Sequence, residues 1–244
     1  MNVRRFPDRA VLGREAAADI AAFLRERLAS KANVRVVFAA APSQQETLSA
    51  LVEAPDLDWS RITAFHMDDY LGLPADAPQG FGNWLRRVIF DHVPVGSVHL
   101  MRTDGDPVAR SKEYADLLAE APVDAVCLGI GVNGHIAFND PPYVDFADPL
   151  AVKVVTLDSV SRQQQLDEGH FPTFDAVPSQ AITLTVPRLL DADRLFCMVP
   201  GVAKAPAVRR TLHDEITTDC ASTILRTHAD CTLYLDADSA SELD

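Results

Sequence analysis

Three short, predominantly apolar runs restrict the fold most: Asn33-Val-Arg-Val-Val-Phe-Ala, Ile62-Thr-Ala-Phe-His-Met and Asp124-Ala-Val-Cys-Leu-Gly-Ile. A strand with one face in water alternates apolar and polar residues, whereas a strand covered on both faces reads as an unbroken apolar run. Between these runs the apolar spacing changes to that of a helix. Leu12, Ala16, Ile20, Phe23, Leu24 and Leu28 fall on one side of a segment that ends near Ser30. Helical spacing returns over residues 44–52, 81–92, 106–121 and 203–212, and further extended runs are expected at 98–101, 151–157, 181–186, 194–199 and 232–235. Buried strands alternating with helices call for an α/β, Rossmann-like fold, a mostly parallel sheet with helices on both faces. Without an internal repeat or a linker-like tract, residues 1–244 read as a single domain.

Charge narrows the partners. A formal net charge of −13 argues against an extended nucleic-acid surface, because polyanion binding rests on Lys and Arg neutralising phosphates. A small phosphate ester held by a few local groups remains compatible with it. The four cysteines show neither CxxC nor zinc-ligand spacing and are expected as packed, reduced thiols. The chain lacks an 18-residue apolar stretch, and Met-Asn-Val-Arg-Arg-Phe lacks a signal-peptide core, so no membrane partner is expected and the reading is cytoplasmic.

Ligands of open α/β sheets gather beyond the carboxyl ends of the strands, near a topological switch point. Three expected strand ends carry unusual residues: Ala39-Ala-Ala-Pro-Ser-Gln-Gln-Glu, His66-Met-Asp-Asp-Tyr, and the loop Gly129-Ile-Gly-Val-Asn-Gly-His-Ile-Ala-Phe-Asn-Asp-Pro. Taken singly, Asp68-Asp69 could cap a helix, and Asn133-Gly and Asp140-Pro are turn signals. Brought to one cleft, they supply a carboxylate base, an imidazole with a carboxylate nearby in sequence, and main chain exposed by glycine. That set suits proton transfer on a carbonyl or hydroxyl substrate.

Met67-Asp-Asp-Tyr-Leu-Gly-Leu-Pro, Phe81-Gly-Asn-Trp-Leu-Arg-Arg-Val-Ile-Phe-Asp-His-Val and Leu128-Gly-Ile-Gly-Val-Asn-Gly-His-Ile-Ala-Phe-Asn-Asp-Pro stand in order along the chain. Together with Pro200-Gly-Val-Ala-Lys-Ala, they resemble the glucosamine-6-phosphate deaminase/isomerase family over most of the chain. The sister 6-phosphogluconolactonases share the fold and a Gly-x-x-x-Asp-Gly-His loop, but typically continue with Thr-Ala-Ser where this chain has Ile-Ala-Phe-Asn.

The resemblance implies aldose–ketose isomerisation of a 2-amino-sugar 6-phosphate with loss of ammonia, without metal or other cofactor. It makes Asp68 the base that takes the C2 proton and His135 the acid/base of ring opening. Asp140 stands where the family has a glutamate partner of that histidine, and Asn133 where many members have an aspartate. The phosphate side departs from the family. Its Ser/Thr-Gly-Gly-Ser/Thr-Pro loop is replaced by Ala39-Ala-Ala-Pro, and alanine disfavours the positive-φ geometry that such glycines permit. Ser43 and Gln44 could still donate at a helix N-terminus. Lys204 matches the family's phosphate lysine. The phosphate arginine aligns near Gln165, which leaves Arg162 as the nearest replacement, and Asp69 and Gly134 complete the expected substrate contacts. Lactone hydrolysis and non-catalytic sugar-phosphate binding are the alternative readings. The short acidic tail after Leu235 sets an expectation of a monomer or small homo-oligomer without a phosphorylated effector.

Overall fold

The protein is described by a computed structural model covering residues 1–243. Seven parallel strands form the central sheet: β1 (Asn2–Phe6), β2 (Val34–Phe38), β3 (Ile62–His66), β5 (Ser97–His99), β6 (Val123–Leu128), β9 (Ala192–Val199) and β10 (Cys231–Asp236), in the order β1-β10-β9-β6-β2-β3-β5. Side chains alternate across a strand, and that alternation divides the interior in two. Val34, Val36 and Phe38 join the core formed with α1 (Arg9–Ser30) and α2 (Gln45–Val52), whereas Val37 points into the core shared with α4 (Pro107–Ala119). Likewise Phe196 and Met198 enter the first core, and Leu195, Cys197 and Val199 the second. All four cysteines are buried and free, Cys127 and Cys197 on strands facing opposite cores.

The expected fold class is the observed one, with three additions. Val3 and its neighbours make an edge strand, β1, beside β10. Residues Asp68–Tyr70, expected as a segment beyond a strand end, form β4 and pair antiparallel with β8 (Gln180–Leu184), which pairs antiparallel with β7 (Val152–Thr156). These three strands are a separate small sheet rather than part of the parallel one. Two helices, α5 (Ser159–Asp167) and α6 (Val186–Leu190), lie where helical spacing was not evident. The buried residues of α5 are Ser161, Gln164 and Gln165, so it carries no apolar stripe by which to recognise it. The segment 81–92 begins as α3 (Phe81–Leu85) and widens to a π turn over Arg86–Phe90, and residues 203–212 become α7 (Ala205–His213) after a short 3-10 turn. Among the described residues no helix is long and apolar enough to cross a membrane.

The sheet order places β6, β2 and β3 side by side. The chain leaves β2 toward β3 on one side, while β6 lies on the other, so the switch point falls at their carboxyl ends. The loops after Phe38, His66 and Leu128 therefore converge there.

Candidate active site

The cavity at this switch point is lined by Ala39–Ala41, Ser43, Gln44, Met67, Asp68, Gly129–Gly131, His135, Ala137 and Phe138, and closed by Phe81, Gln164, Gln165, Glu168 and Lys204. Asp68 opens β4 opposite Thr183 and is 6% exposed. Burial first, then the neighbouring carboxylates of Asp69 and Asp140, push its carboxyl well above the usual carboxylate range.

The glycine loop delivers His135. Gly131 N–H donates to the His135 carbonyl and Gly134 N–H to the Gly131 carbonyl, at 2.9 and 3.0 Å. Gly134 turns at φ +86°, and a side chain there would collide with Cys220. A methyl on Gly131 would occupy the place of the imidazole itself. The bare backbone is thus the surface on which the ring rests. Asp140 Oδ1 lies 2.9 Å from His135 Nδ1 and also accepts from Asn133 Nδ2 at 2.9 Å, while Asn133 Oδ1 accepts from the His135 backbone N–H at 3.0 Å. Burial acts to raise the Asp140 carboxyl, but His135, Asn133 and Ser161 outweigh it and hold it below the usual range. A carboxylate kept ionised behind the imidazole holds the orientation of the ring. Farther along, Asn139 Nδ2 ties the loop to β8 by donating to the Ile136 and Leu184 carbonyls. Ala137, facing the cavity, sits at φ +50°, a left-handed conformation that costs an L-residue about 1–2 kcal/mol.

Lys204, also lining the cavity and 7% exposed, comes from the 3-10 turn before α7, and its Nζ stands 3.9 Å from Glu168 Oε1. Burial pulls the Lys204 ammonium below the usual lysine range, with Glu168 acting the other way. Glu168 accepts from Gln164 Nε2 at 2.7 Å and lies 3.6 Å from His170 Nε2. Burial acts to raise its carboxyl, yet His170, Lys204 and Gln164 together hold it below the usual range.

The structure brings Asp68, His135, Ser43, Gln44 and Lys204 to one cavity, with Asp140 and Asn133 immediately behind the imidazole. Gln44 is fully buried, and its amide donates to the Met198 carbonyl and to Ser43 Oγ, so it supports Ser43. Three expected substrate contacts fall elsewhere. Asp69, on the opposite face of β4 from Asp68, accepts the N–H groups of Tyr70, Phe81 and Gly82 and anchors the start of α3. Gly134 packs against Cys220 and does not line the cavity. Arg162 is turned away, donating to the Phe174 and Val177 carbonyls and stacking on the Phe174 ring, where aromatic and carbonyl partners compensate its burial. Glu168 and Gln164, by contrast, were not anticipated. A polar helix reads as solvated surface, so its sequence offers no local sign that these side chains face inward.

A family model described as glucosamine-6-phosphate isomerases/6-phosphogluconolactonase matches residues 7–233. A glucosamine-6-phosphate deaminase from Exiguobacterium sp. is 31% identical over 89% of this chain and 84% of its own length. One from Shouchella clausii is 28% identical over 91% and 90%. A solved structure of a monomeric glucosamine-6-phosphate deaminase matches with a TM-score of 0.91 and 28% identity, covering 99% of this chain and 100% of the other. The 6-phosphogluconolactonase of Trypanosoma brucei shares the fold, with a TM-score of 0.81 at 17% identity over 100% of this chain and 98% of its own. With two thirds and more of both chains aligned in each case, this protein belongs to the glucosamine-6-phosphate isomerase/6-phosphogluconolactonase family.

Proposed function

We propose that this enzyme converts a 2-amino-2-deoxy aldose 6-phosphate into the ketose 6-phosphate and ammonia. The observation that carries this reading is a buried, high-pKa carboxyl, Asp68, lining the same cavity as a His135 backed by an ionised Asp140. Isomerisation needs two separate proton-transfer groups, one for ring opening and one for carbon. His135 gives a proton to the ring oxygen as the bond from that oxygen to C1 breaks, and the anomeric hydroxyl loses one. Asp68 then takes the C2 proton and returns one at C1. The resulting C2 imine adds water and expels ammonia, so that one amino aldose and one water become one ketose and one ammonia. A base whose affinity for protons is raised above that of an ordinary carboxylate is better matched to a weakly acidic C–H. Lys204 and Ser43, which line the same cavity, are assigned to the 6-phosphate. Lactone hydrolysis would use the imidazole to activate water and would leave Asp68 without a task.

The test is ammonia release and ketose formation from the 6-phosphates of glucosamine and galactosamine, with 6-phosphogluconolactone as control. Ammonia from either amino sugar is the expected result. Lactone opening with no ammonia from either would replace this reading with the hydrolytic one.

A further inference from the structure

Lys204 is the one Lys or Arg lining the cavity among the described residues, and it does not stand alone, since Glu168 lines the same wall 3.9 Å away. Arg162 cannot restore a positive balance, because its guanidinium is held by the carbonyls of Phe174 and Val177. The neighbouring loop adds no cation: Ala39 N–H donates to Cys127, Gln44 N–H to Ala41, Pro42 has no N–H, and the donors left, the N–H groups of Ala40, Ala41 and Ser43 and the Ser43 hydroxyl, are uncharged. Glu168 is fixed in place by Gln164 Nε2 at 2.7 Å, and Gln164 is fixed in turn by accepting from Val132 N–H at 3.0 Å. A phosphate dianion beside Lys204 would thus meet a carboxylate at comparable distance, and attraction and repulsion would largely cancel.

The chemistry of the pair fits a different terminal group. A phosphate dianion only accepts hydrogen bonds, so it can use the ammonium but not the carboxylate. A hydroxyl both donates and accepts, and can satisfy Glu168 and Lys204 together. We infer that Glu168 is a specificity-determining residue which balances the charge of Lys204, so that the enzyme accepts the unphosphorylated 2-amino aldose alongside its 6-phosphate. The further activity is the same balanced conversion, amino aldose plus water to ketose plus ammonia, with a free hydroxyl at C6. It rests on the reaction proposed above, while the charge preference of the subsite can be measured without it.

The probes for binding are two unreactive open-chain ligands, 2-amino-2-deoxyglucitol and its 6-phosphate, titrated calorimetrically into the wild-type protein and Glu168→Gln. The wild type should bind the two within about tenfold of each other, and Glu168→Gln should shift the ratio toward the phosphate by about tenfold, since a buried repulsive charge is removed. A wild-type preference for the phosphate above about tenfold, or a ratio unmoved in the variant, would overturn the inference. Should Glu168→Gln fail to fold, the wild-type ratio still decides. In parallel, ammonia release is followed on glucosamine and its 6-phosphate. Ammonia from the 6-phosphate alone counts against the further activity. Ammonia from neither removes the proposed reaction, and the calorimetric ratio then still judges the role of Glu168.

Discussion

Asp68 concentrates the cost and the use of the site in one side chain. Its carboxyl is buried beside two other carboxylates, and this raises its pKa. As the base it must be ionised, so turnover on the amino sugar should be lost as pH falls through a value above the usual carboxylate range. The stability effect has the opposite direction. A carboxyl with a raised folded-state pKa contributes stability that is complete below its unfolded value, near pH 4, and is lost as pH rises through the folded value. Asp68→Asn keeps the shape and removes the titration. It should lower kcat by about a hundredfold or more. At pH 7 it should raise Tm, by about 2–4 °C for each kcal/mol of ionisation cost removed, with the gain shrinking toward pH 4. Melting curves at the two pH values, read beside solvent exchange at C2, check both halves. A variant that turns over normally removes Asp68 from the mechanism, and one that melts below the wild type at pH 7 contradicts the electrostatic account.

At the scale of an element, the loop Gly129–Asp140 is a device for holding one ring. Its backbone turns back at Gly134, its end is tied to β8 through Asn139, and the imidazole lies against the bare Gly131. A methyl at Gly131 cannot share that space, yet the atoms it meets belong to a side chain that can rotate outward. Gly131→Ala should therefore fold, with a stability loss of about 1 kcal/mol, while kcat drops by about a hundredfold because the acid/base group is displaced by an ångström or more. Urea unfolding beside steady-state kinetics separates these effects. A near-native kcat would mean that the ring does not need this seat. β4 works by a related logic: adjacent residues of a strand point to opposite faces, so Asp68 meets the cavity while Asp69 caps the start of α3.

Over the whole molecule, the formal charge of −13 sets a background of self-repulsion. Some ion pairs are exposed at both partners, such as Arg102 with Asp104 and Lys112 with Asp116, and pairs of that kind contribute about 0–1 kcal/mol each. Screening should therefore help more than it harms. Between about 10 and 150 mM salt the Debye length falls from about 30 to 8 Å, which weakens long-range repulsion across the acidic surface. Tm should rise by a few degrees over that range, and a fall would show that surface ion pairs outweigh the net charge. The two cores on either side of the sheet are apolar and should respond little to salt.

What the sequence determined by itself is local. Runs such as Val34–Phe38 are apolar at every position but Arg35 because both faces are covered, and this pattern announces a parallel sheet with helices on each side. Strand ends in such a sheet form the cleft, so the sequence alone brings Asp68, His135 and Asp140 to one place, though they are scattered along the chain. The tertiary structure decided whatever depends on distant partners. Asp68–Tyr70 reads as a segment beyond a strand end until Ala181–Thr183 pairs with it, and only that pairing sends Asp69 away from the cavity. Which polar side chains of α5 and its continuation face inward is equally invisible locally, since no apolar stripe tells the inward face from the outward one. Arg162 finds the carbonyls of Phe174 and Val177, and Glu168 finds Lys204, because hydrogen-bond and charge partners in the folded chain, not spacing, set where a buried polar group can rest.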